Sequence, residues 1–283
     1  MSAVLLGSVR RIGTAGEPAD VLCLEGRIAA VAPAGLLDTD GLVPPGAPLT
    51  EVDGDGLWLG PGLRDHHVHF DQWALVRRRI DVSACTSAAE VAGLLAAVHR
   101  TGDADTVLIG HGYRDGMWAE PARRDLLDRA APGLPAVVIS GDLHAVWCNA
   151  LALAHFAELV GRPLAAGEDG VLREQDAFDV TAALSTVPDD VLDGFAADAV
   201  DGASARGVVG IVDLEMRWGV DRWTRRIHAG TDGLRVASGV YPVQLHEALE
   251  RGLRTGDVVD GTRGLLTMGP FKVITDGSLG TRT

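Results

Sequence analysis

After Gly207 the sequence alternates strand-length apolar runs with segments of helical length, and this rhythm constrains the fold more than any other feature. Such alternation is typical of βα units, whose strands pair side by side in a parallel sheet. The segments are strand Val208–Asp213, helix Asp221–Ala229, strand Leu234–Tyr241, helix Gln244–Leu253 and strand Phe271–Thr275. The pattern predicts an α/β protein built on a parallel sheet.

The first 57 residues have a different character, with short strands separated by loops rich in proline and glycine. Glu25-Gly26 is typical of a hairpin turn between the second and third strands. The predicted strands are Ala3–Leu6, Asp20–Leu24, Arg27–Val31 and Leu49–Val52. This region is therefore expected to form a small β-unit.

The middle of the chain contains both kinds of element. Ser87-Ala88-Ala89-Glu90 is a capping box, the pattern in which a serine and a glutamate satisfy the first backbone donors of a helix. The other predicted elements are strands Thr106–Gly110 and Ala136–Ser140, and helices Leu151–Leu159, Gln175–Leu184 and Asp189–Ala205.

Two histidines separated by one residue follow an apolar stretch that begins at Leu57. Side chains alternate faces along a strand, so His67 and His69 point the same way, as does Asp65. Two imidazoles on one face can bind one metal ion, since neutral imidazole is a good zinc ligand. The apolar residues before them predict a buried strand, which favours a metal site over a pair of surface histidines.

Lys272 is the only lysine among 25 lysine and arginine residues. Arginine cannot replace a lysine whose amine becomes neutral and nucleophilic. A neutral amine can add carbon dioxide to form a carbamate, an anionic oxygen ligand that is able to bridge two metal ions. The alternative is a lysine placed on a strand by chance.

Charge and composition exclude several classes of function. A net charge of −14 argues against nucleic-acid binding, which needs a basic surface. No apolar run approaches the roughly 18 residues of a membrane span, and no secretory signal is recognisable. The 3 cysteines are widely spaced and do not form a disulfide framework. A cytoplasmic protein that binds a small molecule is expected, and homo-oligomerisation stays open.

Two longer motifs and three shorter segments can be compared with known families. The motifs are Pro61-Gly62-x-x-Asp65-x-His67-x-His69 and Gly269-Pro270-x-Lys272-x-x-x-Asp276-Gly277-Ser278-Leu279-Gly280-Thr281-Arg282. The shorter segments are Gly110–Tyr113 with Ala122–Leu127, Gly141–Leu151, and Gly170–Glu174. Together they resemble the metal-dependent amidohydrolase superfamily, and most closely its amidohydrolase-3 branch of N-substituted formamide deformylase-like enzymes.

The resemblance implies a (β/α)8 TIM-type barrel beside a small β-sandwich. Residues 1–57 would be the N-terminal part of the sandwich, 58–70 barrel strand 1, and 201–283 barrel strands 2–4. The stretch between His69 and Val208 is far longer than the dozen or so residues of a crossover. Residues 71–200 are therefore expected to form an insertion subdomain over the barrel mouth, where it would shape the substrate pocket.

The resemblance also implies a metal centre. His67, His69 and Lys272 would be ligands of one or two divalent ions, most often zinc, and Lys272 would be N-carboxylated when it bridges two ions. From its place on the same strand face, Asp65 would either hold a ligand in place without binding the metal itself or be a structural partner. The remaining histidine ligands and the general-base aspartate would lie beyond Thr283, so no catalytic residue is assigned within this chain.

Three residues of the expected insertion are candidates for substrate contact. His144 follows an apolar strand at a loop within a family motif, and His111 has a similar but weaker context. Glu174 falls in the family's Gly-x-x-x-Glu stretch. For each of the three, a structural role is the alternative.

The resulting functional hypothesis is a metal-dependent hydrolase of carbon–nitrogen bonds other than peptide bonds, with amide or formamide substrates. The chain resembles the N-terminal part of such an enzyme and is predicted to be poorly soluble and inactive alone. One alternative is a non-catalytic remnant or a binding module completed by a partner. Another is a different branch acting on cyclic amides or imides, against which the insertion motifs argue.

Overall fold

The structure, a computed structural model, describes residues 2–101 and 107–274. These residues divide into two compact units, one up to Leu63 and the other from Arg64 onwards. Among their helices, none combines the length and the apolarity that crossing a membrane requires. The segment Asp276–Arg282, which carries part of the second motif, lies outside the described residues.

The first unit is a five-stranded sheet in which β1 pairs with β2, β4 and β5, and β2 pairs with β3. The β1–β2 and β2–β3 pairs are antiparallel, whereas β4 and β5 run parallel to β1. Glu25 and Gly26, both at positive φ, form the predicted hairpin turn. The strands are β1 (Ala3–Arg11), β2 (Pro18–Leu24), β3 (Arg27–Pro33), β4 (Leu49–Asp53) and β5 (Trp58–Leu59). One sheet is described, and the β-sandwich stays a prediction.

The second unit begins within β6 and contains two further sheets. Its elements in chain order are β6 (Leu63–Val68), α1 (Phe70–Val76), β7 (Ile80–Asp81), α2 (Ala88–Thr101), β8 (Leu108–Tyr113), α3 (Arg124–Ala130), β9 (Ala136–Ser140), β10 (Ala145–Cys148), α4 (Ala150–Val160), β11 (Val171–Arg173), α5 (Gln175–Leu184), α6 (Asp189–Ser204), β12 (Val208–Asp213), α7 (Gly219–His228), β13 (Arg235–Val240), α8 (Leu245–Glu250) and β14 (Leu266–Phe271). The fold is thus a mixed α/β fold, while the barrel stays a prediction.

One sheet has the order β6-β12-β13-β14, in which the last three strands run parallel. Helices α1, α6, α7 and α8 cover one face of it around a shared apolar core. That core includes Phe70, Ala196, Ile211, Trp223, Val236, Ala248 and Leu266. The predicted βα alternation is confirmed for β12 and β13, because α7 and α8 follow them and bury their apolar sides on the sheet.

The other sheet has the order β7-β8-β9-β10-β11, with parallel pairing up to β9 and antiparallel pairing after it. Alternating residues of β9 serve two different cores. Val138 packs with α2 and α3 on one face, whereas Val137 and Ile139 pack with α4 and α5 on the other. This three-layer arrangement occupies most of the range expected to be an insertion, whose position over a barrel mouth remains a prediction.

The capping box of α2 forms with one difference from the expected pattern. The backbone N–H of Glu90 donates to Ser87 Oγ at 3.2 Å, as predicted. The carboxylate of Glu90 accepts instead from the backbone N–H of Thr86 at 2.6 Å. The helix start is therefore correct, and its reciprocal bond shifts by one residue.

The predicted strand Phe271–Thr275 is wrong in its position. The strand is β14, which ends at Phe271 and contains Pro270. Proline lacks a backbone donor and is accepted in a strand that has a neighbour on one side, and β14 pairs with β13 alone among the described strands. Lys272 therefore follows the strand, although its N–H still donates to Val240 O at 2.8 Å.

The expectation of a buried strand before His67 is also wrong. Leu57 and Leu63 are 70% and 60% exposed, and β6 is exposed along almost its whole length. β6 lies at the end of the sheet order and pairs with β12 alone among the described strands. An apolar run predicts burial only where neighbouring elements cover it.

Candidate metal centre

His67 and His69 lie together at the end of β6, as the alternation of side chains predicts. Their ring centroids are 5.7 Å apart, and the rings are tilted by 47°. His67 is exposed and His69 is half-buried. The two imidazoles are therefore close enough to face a common ligand.

Lys272 reaches the same place from the far end of the sheet. Its Nζ lies 2.9 Å from Nε2 of His67. The amine also lies 5.8 Å from the ring centroid of Tyr241. Lys272 thus contacts His67, which lies beside His69, and the strands β6 and β14 that carry or precede these residues belong to one sheet.

Backbone contacts hold the ends of these strands in place. Leu214, just after β12, donates its N–H to Val68 O at 2.7 Å. Tyr241, just after β13, donates its hydroxyl to Leu214 O at 2.8 Å. Burial raises the pKa of Tyr241, and the carboxylates of Glu215 and Asp213 raise it further. A neutral phenol therefore connects the Lys272 side of the site to the His67 side.

The donor set fits a divalent metal such as zinc, which binds imidazole and other nitrogen donors. Nδ1 of His69 is buried without a hydrogen-bond partner among the described residues. Leaving such an atom unsatisfied costs about 1–3 kcal/mol, which a bound ligand offsets. Among the described residues, no three His, Cys, Asp or Glu side chains cluster so as to hold a metal. A metal here would need Lys272 and further ligands.

Asp65 contacts the backbone of this strand and not an imidazole. Its Oδ1 accepts the backbone N–H of His67 at 2.9 Å. It also borders a cavity of about 210 Å³ between the sheet, α1 and α6. In that position Asp65 supports the local conformation of the strand that carries His67.

Two buried carboxylates beside the site were missed in the sequence. Asp213, the last residue of β12, is 3% exposed, and Glu215, two residues later, is 6% exposed. Burial raises the pKa of Asp213, although hydrogen bonds from Trp223, Phe70 and Glu215 oppose that rise. The signal was available, since two acidic residues at the end of a buried strand rarely lie inside without partners.

A buried ion cluster lies next to these carboxylates. Asp71 in α1 contacts Arg222 in α7, and it lies 2.9 Å from Arg226, one turn further along that helix. The three side chains are 6%, 7% and 1% exposed. Arg226 also donates to Asp193 of α6 at 2.7 Å. The cluster joins three helices around the start of α1, directly after His69.

His144 and Glu174 form a separate pair. His144 Nδ1 lies 3.3 Å from Glu174 Oε2, and the ring packs edge-on against Phe178 at 5.4 Å. The pair lies where β10 begins and β11 ends, since the N–H of Glu174 donates to His144 O at 2.9 Å. Leu143 and Glu174 both have positive φ, of 70° and 50°. The described contacts of the pair do not include the candidate ligands.

His111 lies in β8 and makes neither of these contacts. Burial lowers the pKa of its imidazole, and the guanidinium of Arg79 lowers it further, while Asp81 opposes both effects. Its backbone carbonyl accepts the N–H of Val82 at 3.0 Å. The structure therefore brings together His144 and Glu174 but places His111 in a different environment.

Comparison with known proteins places this arrangement in context. An uncharacterized metal-dependent hydrolase from Pyrococcus horikoshii OT3 has a similar structure, with a TM-score of 0.72 and 18% identity over 100% of this chain and 56% of that chain. An uncharacterized metal-dependent hydrolase from Pyrococcus furiosus gives 0.72 and 16% over 99% and 58%. The chain thus spans just over half the length of these structures, and identities this low show the fold alone.

The sequence itself carries a more specific likeness. A search of the curated proteins found no match. The amidohydrolase-3 model, described as Amidohydrolase family, matches residues 50–283, a range that contains both motifs and all the candidate ligands. The chain belongs to the amidohydrolase family.

Proposed function

We propose that this chain provides the metal-binding part of a metal-dependent hydrolase that cleaves carbon–nitrogen bonds other than peptide bonds, with amide or formamide substrates. The observation that supports this most directly is the 2.9 Å separation between Lys272 Nζ and His67 Nε2. Membership of the amidohydrolase family supports the reaction type.

His67, His69 and Lys272 are the proposed ligands of one or two divalent ions, with zinc as the expected metal. When bound, the metal supplies Lewis-acid activation of water and of the scissile carbonyl. His67 and His69 would hold the ion at the end of β6, while Asp65 fixes the backbone N–H of His67. Lys272 contributes its amine or, after addition of carbon dioxide, its carbamate.

We propose that His144 and Glu174 contact substrate, together with His111, which lies in a separate environment in β8. The carboxylate of Glu174 lies at Nδ1 of His144, so a proton held on that nitrogen leaves Nε2 as an acceptor. An acceptor of this kind can receive an N–H of an amide substrate. Phe178, which is 40% exposed, offers an apolar surface beside it.

Turnover needs more groups than these. No carboxylate is hydrogen-bonded to His67 Nε2 or Lys272 Nζ within residues 2–101 and 107–274. Proton transfer to a leaving nitrogen requires a positioned acid or base. We therefore propose that the 283 residues alone bind metal but hydrolyse amides inefficiently.

Zinc titration of the metal-free chain tests the ligands. His67→Ala and His69→Ala are expected to weaken zinc binding strongly. His66→Ala is the matched control, since His66 points to the opposite face of the same strand and should leave binding unchanged. Equal effects of all three substitutions would contradict the proposed centre.

The reaction is tested on the native gene product from its source cells. Hydrolysis of N-substituted formamides or simple amides should be lost on chelation and restored by zinc. Zinc binding without any hydrolysis would favour the binding module completed by a partner. Hydrolysis that survives full metal removal would overturn the proposal.

A further inference from the structure

Two hydrogen bonds from the end of β12 hold the residues on either side of His69. Leu214 N–H donates to Val68 O at 2.7 Å. Phe70 N–H donates to Asp213 Oδ1 at 3.2 Å. His69 is therefore fixed from both sides by consecutive residues of one neighbouring segment.

His69 stands at the N-cap of α1, where a side chain commonly accepts a backbone N–H. Its imidazole makes no capping bond. Asp213 accepts from Phe70 instead, and Glu215 Oε2 accepts from Gln72 N–H at 3.3 Å. Because two other carboxylates satisfy these donors, the imidazole of His69 is left free to bind something else.

Asp213 is itself held firmly. Its Oδ1 accepts a second bond from Glu215 N–H at 3.0 Å, and its Oδ2 accepts Trp223 Nε1–H at 2.7 Å. Trp223 is 1% exposed, and its ring centroid lies 5.1 Å from that of Phe70. Asp213 is held in place by three hydrogen-bond donors and by packed neighbours. Its position therefore fixes Phe70, the first residue of α1.

We propose that Asp213 is the positioning residue that orients His69 toward a divalent metal, an inference that rests on the proposed metal-binding function. Asp213 acts through the backbone of Phe70. Residues that orient a metal ligand without binding the metal commonly change its affinity about 10–100-fold when replaced.

The test is titration of metal-free protein with Co²⁺, followed by its visible absorption spectrum, which reports the ligand geometry. Asp213→Asn places an amide N–H₂ where one carboxylate oxygen stood, so at least one of the three donors faces another donor. We expect Co²⁺ binding to weaken about 10-fold or more, with an altered spectrum.

Asp20→Asn is the matched control. Asp20 is a buried carboxylate of the first unit that accepts the N–H groups of Ser8 and Gly35 at 3.0 and 2.7 Å. Asp20→Asn should lower the stability of the protein while leaving its affinity for Co²⁺ and the spectrum of bound Co²⁺ unchanged. Asp213→Asn with wild-type affinity and spectrum, or with changes equal to those of Asp20→Asn, would overturn the positioning role.

Two further measurements keep the outcome decisive. If Asp213→Asn does not fold, Trp223→Phe takes its place, because it removes one donor to Asp213 and keeps an aromatic ring. Trp223→Phe should weaken Co²⁺ binding, by less than is expected of Asp213→Asn. Unchanged Co²⁺ binding in this variant would overturn the inference. Failure of the unmodified protein to bind Co²⁺ would instead overturn the proposed metal centre, and the inference with it.

Discussion

Lys272 Nζ lies 2.9 Å from His67 Nε2 although the two residues are 205 positions apart in the chain. His67 lies near the end of β6 and Lys272 directly follows β14, and these two strands belong to one sheet with the order β6-β12-β13-β14. In α/β proteins the edge at the carboxyl ends of the strands is where ligands bind. The contact between His67 and Lys272 therefore brings the two sequence motifs together at the edge of the sheet where a ligand is expected to bind.

Lys272 is predicted to form a carbamate when zinc and carbon dioxide are both present. Since it is the only lysine, a carbamate signal in ¹³C NMR with ¹³C-bicarbonate can arise from this side chain or from the N-terminal amine. Lys272→Arg keeps the positive charge but cannot form the carbamate. We expect the signal in the unmodified protein and its loss in the variant.

Zinc stoichiometry provides the corresponding control. In buffer depleted of carbon dioxide, the unmodified protein should bind less zinc, whereas Lys272→Arg should show the same reduced stoichiometry with or without bicarbonate. Stoichiometric zinc binding with no carbamate signal would show that Lys272 does not act as a carbamate ligand.

The candidate ligands could be predicted because they follow local rules. Alternation along a strand placed His67 and His69 together, and the βα rhythm after Gly207 placed the strand near Lys272 in a parallel sheet. The family resemblance implied that the strand of His67 belongs to the same sheet. The family resemblance supplied the metal. The exact strand before Lys272 was misplaced because Gly269-Pro270 looks like a break, and only the pairing with β13 shows that the strand continues through it.

The supporting residues could not be predicted in the same way. The role of Asp213 depends on its hydrogen bond from Phe70 N–H, which is 143 positions away. The role of Asp71 depends on its contact with Arg222, which is 151 positions away. Such pairs depend on how helices pack, which neither periodicity nor composition specifies. The exposure of β6 was missed for the same reason, because burial depends on neighbours and not on the apolarity of the run alone.

Asp71→Ala is expected to destabilise the chain by about 3–5 kcal/mol, since it leaves the buried guanidinium of Arg222 without its carboxylate and Arg226 with Asp193 alone. Arg222 and Arg226 are 7% and 1% exposed, so water cannot replace the lost partner. Urea unfolding, followed by tryptophan fluorescence, measures the change in the free energy of unfolding.

The exposed pair Asp221–Arg251 is the comparison for this effect. Its side chains are 54% and 40% exposed, so Asp221→Ala should cost about 1 kcal/mol or less. A combined Asp71→Leu, Arg222→Met and Arg226→Met variant should recover much of the loss, because it removes the charges together. A small effect of Asp71→Ala would show that the buried pair contributes little.

His111 is expected to make stability depend on pH. Its pKa is lowered in the folded state by burial and then by Arg79, so the folded state favours the neutral imidazole. The stability it contributes is therefore fully present above the ordinary pKa of about 6.5 and is lost as pH falls through the lower folded value. His111→Asn should reduce this loss in unfolding experiments between neutral and mildly acidic pH.

Arg79→Gln distinguishes the two causes of that shift. Removing the guanidinium should raise the pKa of His111 in an NMR titration of its ring proton, while burial keeps the pKa below the ordinary value. An unchanged pKa of His111 would show that the charge of Arg79 does not influence this imidazole.

Glu174→Gly is expected to stabilise the chain, although glycine usually destabilises. Glu174 has φ of 50° and ψ of −121°, a conformation that is strained for a residue with a side chain and easy for glycine. The contact that it loses, with His144, is largely solvent-exposed and contributes little. Thermal and urea unfolding should show a gain of about 1 kcal/mol.

Glu174→Ala separates strain from chemistry at this position. It removes the carboxylate and keeps the strained backbone, so the stability of Glu174→Ala should stay near that of the unmodified chain. Ala154→Gly is the control for a glycine placed within a helix, here α4, and it should lose about 1 kcal/mol. If Glu174 contacts substrate, both Glu174→Gly and Glu174→Ala should weaken substrate binding equally while only the glycine gains stability. Such a trade-off is expected of a backbone that is held in a strained state for the sake of its side chain. A glycine variant less stable than the alanine variant would remove the case for strain, and would leave His144 and Glu174 as an ordinary surface pair.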